Sequence, residues 1–201
     1  MEWYFLKRTN LIKLIAIIAI LAVVIIIGGT QTPPRIDNYT QYNCDVKNFK
    51  LSTNIQISSN SKELFTVSGN ILKFIEDPLT MKDTEGNKIA YAGDDYHYIA
   101  QDSHAIVVNG NVTAEMVGLV EIFGEQYDIY DTNGNKIAKA NFNDLNTAGS
   151  IYDTNGKLIA TYGSFVLYND FTIKISNEST IDPNTLLMIF CSYYSDQAYD
   201  N

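Results

Sequence analysis

The chain has 201 residues, 46% of them hydrophobic, with 14 Lys+Arg, 23 Asp+Glu, two Cys and four Pro. That length supports one ordinary domain with a self-sufficient core, and two cysteines 147 positions apart exclude a disulfide-framed miniprotein and a zinc cluster. A net charge of −9 argues against nucleic acid, whose phosphates require a basic face.

The charge is divided along the chain. Residues 1–35 carry a net +3, while the other 166 residues hold ten Lys, no Arg and 22 acids. Without arginine, that larger part lacks the planar fork that grips phosphates and carboxylates in a bidentate manner.

Leu11–Ile27 is apolar except for Lys13, and Leu14–Ile27 is unbroken. At about 1.5 Å per residue such a helix reaches roughly 26 Å, close to the thickness of a bilayer core. Lys13 lies within snorkelling distance of the headgroups, and Trp3, Tyr4 and Phe5 suit an interfacial aromatic anchor. Three basic residues precede the run, which predicts residues 1–10 in the cytoplasm, an uncleaved single-pass signal-anchor over 11–29, and the rest outside the cytoplasm at the cell membrane. The competing reading, a cleaved signal peptide, is weakened by the length of the run and by Ile26-Ile27-Gly28, a poor cleavage site. A stiff linker over 30–38 follows, where Pro33-Pro34 cannot continue a helix.

From residue 39 onward the pattern is that of a β-rich domain reaching 201. Short runs rich in β-branched and aromatic residues lie between Gly, Asn and Asp at 49–57, 64–67, 71–75, 88–91, 105–108, 112–117, 127–130, 136–140, 150–152, 158–162, 165–168 and 172–175. About twelve strands at such spacing predict an antiparallel barrel or sandwich. Three turns repeat a phrase: Asp83-Thr-Glu-Gly-Asn-Lys-Ile-Ala, Asp131-Thr-Asn-Gly-Asn-Lys-Ile-Ala and Asp153-Thr-Asn-Gly-Lys-Leu-Ile-Ala. The Asp-x-Asn start resembles a calcium loop, but such a loop places Gly sixth and Glu twelfth, whereas here Gly is fourth. The phrase reads as a tight hairpin, with Asp bonding the backbone amides and Gly accepting positive φ.

The C-terminal segment changes character. Asp182-Pro183 is a helix start, with Asp as cap and Pro at the first helical position. The run Leu186–Cys191 is then apolar around the whole circumference, so it must be in a membrane or wrapped by protein. It is too short to span a bilayer, so the prediction is a strand-built domain enclosing a hydrophobic helix at about 183–197.

The repeated Asp-turn hairpins, the segment Asn169-Asp-Phe-Thr-Ile173, and Ile181-Asp182 followed by Leu186-Leu-Met-Ile189 together resemble the tubby C-terminal-like superfamily, closest to its LURP-one-related and phospholipid-scramblase-like branch. The resemblance covers roughly residues 60–197. It implies a mainly β fold, a closed barrel of about twelve antiparallel strands around a C-terminal hydrophobic helix. It also implies phosphoinositide binding through basic residues, or calcium-dependent lipid movement. The chain departs from both patterns: the domain has no arginine, and the apolar segment lies at the N-terminus.

No catalytic signature emerges. Asp95, His97, Asp102 and His104 alternate as strand neighbours do and are the candidate metal ligands. A polar solvent face is the preferred reading, and no metal or other cofactor is expected. Ser103-His104 lacks a nucleophile elbow, and acid pairs such as Glu121 and Glu125 are commonplace in so acidic a chain. Cys44 and Cys191 are expected as two free thiols rather than a disulfide. The 14 Tyr and nine Phe are read as core packing rather than a carbohydrate-binding platform.

The expected function is therefore a membrane-tethered, non-enzymatic binding module, its partner a protein, a lipid or another envelope component. The alternatives are lipid handling similar to scramblases and a hydrolase using an Asp/His site around residues 94–104.

Overall fold

The computed structural model describes residues 35–47, 52–70, 79–94, 103–119, 124–143, 147–164 and 170–199. Strands β1 (Tyr39–Val46), β2 (Ser52–Ser59), β3 (Lys62–Asn70), β4 (Leu79–Asp83), β5 (Lys88–Asp94) and β6 (Ser103–Val108) form the first half of the chain's sheet. Strands β7 (Asn111–Leu119), β8 (Glu125–Tyr130), β9 (Lys136–Phe142), β10 (Ala148–Asp153), β11 (Leu158–Ser164) and β12 (Phe171–Ser176) form the second, followed by helix α1 (Pro183–Tyr199). Each strand pairs antiparallel with its sequence neighbours, and β1 pairs with β12 from Tyr39↔Ser176 to Cys44↔Phe171, closing an up-and-down barrel. Closure leaves no sheet edge.

Two of the expected strands, 71–75 and 165–168, lie outside the described residues, as does the predicted membrane segment 11–29. No helix among the described residues is long and apolar enough to cross a membrane. Two strands were not anticipated. β1 (YTQYNCDV) turns only Tyr42 and Cys44 fully inward, between polar outward residues, and so shows no apolar run. β4 (LTMKD) is short, and its two inward residues, Leu79 and Met81, are not β-branched.

The interior explains the sequence. Six alanines, Ala90, Ala92, Ala114, Ala138, Ala140 and Ala160, point inward from β5, β7, β9 and β11 and are at most 3% exposed. Larger inward residues stand on the strands between them, among them Ile106, Ile129, Ile151 and Ile173. Small residues alternating with large ones around the wall fit a barrel to its contents, while Met116, Phe142 and Tyr162 on the alanine-bearing strands fill the interior elsewhere. The contents are α1, whose residues Leu186–Cys191 are all fully buried. Removing five such large side chains from water is worth on the order of 10 kcal/mol. A helix with no polar face suits this position because wall surrounds it on every side.

The helix is held at both ends. Asp182 Oδ1 accepts from the amides of Asn184 (2.8 Å) and Thr185 (3.3 Å), the geometry of an N-cap. Thr185 and Thr113 of β7 share a hydroxyl hydrogen bond of 2.8 Å. At the other end, Ser195 meets Thr53 at 3.0 Å, and Gln197 Nε2 donates to Glu125 at 2.7 Å.

Because the strands simply alternate in direction, the five hairpins whose turns are described (β2–β3, β4–β5, β6–β7, β8–β9 and β10–β11) lie at one end, where β12 also hands over to α1. The chain enters β1 at that same end, where Asn38 is fastened to Asn177: the Asn177 amide donates to the Asn38 carbonyl (3.1 Å), and Asn177 Nδ2 donates to Asn38 Oδ1 (2.7 Å). This is the turn end of the barrel.

Both cysteines are buried and unbridged. Burial pushes the Cys191 thiol up to about 12 and the Cys44 thiol well above its ordinary value, with Cys191 adding to the effect on Cys44. Reactivity requires the thiolate. Neither thiol is therefore expected to react with a disulfide reagent at mildly alkaline pH in the folded chain, and both should react once it is denatured. Rapid labelling of the native protein would show that the plug opens readily.

Candidate functional site

The three repeated turns share one geometry. In each, the Asp carbonyl accepts from the Gly amide, at 3.0 Å for Asp83 and Asp131 and 2.9 Å for Asp153. The glycines have φ of 86°, 76° and 77°, a left-handed conformation that closes a type I turn with a bulge. Each Asp Oδ1 also accepts two backbone amides, such as those of Asn133 (2.8 Å) and Asn135 (2.9 Å) at Asp131.

The second carboxylate oxygen separates the turns. Asn87 Nδ2 donates to Asp83 Oδ2 at 2.9 Å, and Asn135 Nδ2 donates to Asp131 Oδ2 at 3.1 Å. In the third turn Lys157 stands in that place and reaches Glu178 instead, at 2.5 Å. Asp153 Oδ2 has no partner among the described residues.

The side-chain amides, with backbone amides adding to them, hold the Asp83 and Asp131 carboxyls below the ordinary value of 3.8. A carboxyl depressed by folding stabilises the fold in full above its unfolded value and loses that contribution as pH falls through its folded value. Replacing Asn135 by alanine should thus raise the Asp131 midpoint toward 3.8 in a carboxyl NMR titration. The stability difference from the parent chain should be present at neutral pH and fade in acid. An unmoved midpoint would remove the Asn135 amide as the cause.

The third turn borders a cleft of about 420 Å3 at the turn end. One wall is Asp153, Thr154 and Asn155 of the β10–β11 turn, and the opposite one is Thr180, Ile181, Asp182 and Thr185, where α1 begins. Thr113 of β7 and Lys136 and Ile137 of β9 complete it. The lysine is already engaged, with its Nζ 2.5 Å from Asp128 Oδ1. Hydroxyls, carboxylates and one carboxamide therefore line a space in which Lys136, the one lining cation among the described residues, is balanced.

Of the four candidate metal ligands, Asp95, His97 and Asp102 lie outside the described residues. His104 points into the barrel from β6, and its Nε2 is 3.1 Å from Asp196 Oδ2 on α1. The preferred reading, a polar solvent face, does not hold for His104, which is buried against a residue 92 positions away on the helix. No group of three or more metal-ligating side chains is present among the described residues. A cluster of aromatic residues packs inside: Phe142 stacks on Tyr193 with ring centroids 3.4 Å apart, and Phe171 stacks on Tyr194 at 4.5 Å. The exposed large hydrophobic residues among those described are Tyr39 on β1 and Val112 on β7, six strands apart around the barrel.

Sequence reasoning singled out the Asp153 turn and the Asp182 cap separately and missed the cleft between them. The signal that marks the third turn is legible in the sequence as Lys157 in place of Asn87 and Asn135.

The fold thus defines a closed antiparallel β-barrel plugged by its own C-terminal helix. No model of a known protein family matches the chain, and no curated protein matches it.

Proposed function

We propose that the chain is a membrane-tethered, non-enzymatic binding module of the tubby-like kind, anchored by residues 11–29 with its barrel outside the cytoplasm. The observation that carries this reading is the filled lumen. Barrels that carry small molecules keep an interior cavity, whereas here Leu186–Cys191 and Tyr193 occupy the interior and are fully buried. Binding is therefore left to the outer surface and the ends. A closed barrel around a hydrophobic C-terminal helix is also the architecture that the tubby-like resemblance implies.

The same burial weighs against lipid handling of the scramblase type, since a helix enclosed by twelve strands offers no face to a bilayer. It weighs against a hydrolase as well, because His104 is 7% exposed and set against the helix rather than in a cleft.

Protease treatment of intact cells tests the tether. The expected result is digestion of residues 39–201 from outside, with a membrane-protected N-terminal fragment remaining. Protection of the barrel in intact cells, with digestion in permeabilised ones, would overturn the reading. Calcium-dependent movement of lipid between leaflets by the full chain in vesicles would replace it with lipid handling.

A further inference from the structure

We infer that the turn-end cleft is a binding site for neutral carbohydrate, an assignment that rests on the binding-module reading above and gives that module a ligand class. Several polar atoms at the turn end have no partner among the described residues. Asp153 Oδ1 accepts the Asn155 and Lys157 amides, at 2.9 and 2.8 Å, and Asp182 Oδ1 caps α1. The second oxygen of each has no partner among the described residues, and both residues line the cleft. The hydroxyls of Thr154 and Thr180 and the side-chain amide of Asn155 also make no hydrogen bond among the described residues. Acceptors and donors therefore stand around one space, flanked by the partly buried apolar side chains of Ile137 and Ile181.

That combination selects among ligands. An anion meets two carboxylates and no free cation, since Lys136 is held by Asp128. An alkylammonium satisfies the carboxylates but offers no acceptor to the Asn155 amide. A sugar offers both: its hydroxyls donate to carboxylate oxygens and accept from amide and threonine donors, while its C–H face packs on isoleucine. The volume lies within the range of small-ligand sites, roughly 300–1,000 Å3.

The test is saturation-transfer NMR on the full chain in micelles of a detergent without a sugar headgroup. The probes are glucose, N-acetylglucosamine and its trisaccharide, with spermidine and inorganic phosphate as comparisons. The expected result is transfer to the ring protons of at least one sugar. Affinity for that sugar should fall about tenfold in Asp153→Asn, as loss of one charge-assisted hydrogen bond implies. Asparagine keeps the Oδ1 acceptor, so the turn and the melting temperature should be retained. Thr180→Val, at an exposed position, provides a second variant if the first fails to fold. No transfer to any sugar, transfer unchanged by either variant, or binding of spermidine or phosphate in place of sugar would overturn the assignment. Its failure is separable from that of the module reading: an externally digested barrel that binds no sugar loses only the carbohydrate, while a barrel protected in intact cells loses the module.

Discussion

Replacing Phe190 by alanine should lower the unfolding free energy by about 4 kcal/mol, within the range for large aromatic side chains deleted from a core. Phe190 is fully buried at the centre of the plug, with its ring 6.0 Å from that of Phe142 and 5.9 Å from that of Tyr162. The cost is near the top of what a single substitution does because the site cannot collapse. The wall is a closed hydrogen-bonded ladder, and α1 is tied to it at one end by the Thr113–Thr185 hydrogen bond and at the other by Thr53 and Glu125. Neither element can move inward without breaking those contacts. For a domain of this size the midpoint of thermal unfolding should fall on the order of 10 °C. A loss below about 1 kcal/mol would mean that the wall closes on itself without the helix, and the plug would no longer be the organising core.

The features readable from sequence were those with local causes. The repeated Asp-turns, the Asp182 cap and the hydrophobic helix each depend on residues within a few positions of one another. β1 and β4 were hidden because their inward residues make no β-branched run. Each turns only two residues fully inward, Tyr42 and Cys44 on β1 and Leu79 and Met81 on β4, none of them β-branched, and the period-2 signal fades. The cleft was hidden for a different reason. Thr113, Ile137, Asp153 and Ile181 are brought together by antiparallel connectivity, and exposed threonines and asparagines look like any loop until their neighbours are known. His104 shows the same limit in the interior, since a polar residue in a strand reads as solvent-facing until Asp196, 92 positions away, is placed beside it.

The closest approach at any glycine among the described residues gives the second large effect. Gly149 of β10 lies opposite Phe142 of β9, and a Cβ built on it would sit 2.5 and 2.6 Å from the Phe142 ring carbons Cδ1 and Cε1. Real side chains do not approach so closely, so the ring must shift. It has nowhere to go, being stacked on Tyr193 at 3.4 Å and flanked edge-on by Tyr127 and Phe190, each at 6.0 Å. Gly149→Ala is therefore expected to cost about 2–3 kcal/mol, the usual range for overpacking. Gly163 of β11 is the internal control, because the nearest atom to its added Cβ is Thr172 Oγ1 at 3.7 Å, an ordinary van der Waals distance. Gly163→Ala should be neutral or stabilise by up to about 1 kcal/mol, since alanine restricts the unfolded chain more than glycine does. In a Phe142→Leu background the Gly149→Ala penalty should shrink, as coupled neighbours do in a double-mutant cycle. Equal unfolding midpoints for the two alanine variants in denaturant titrations would show that Phe142 is free to move, and that the aromatic cluster around α1 is looser than its stacking distances indicate.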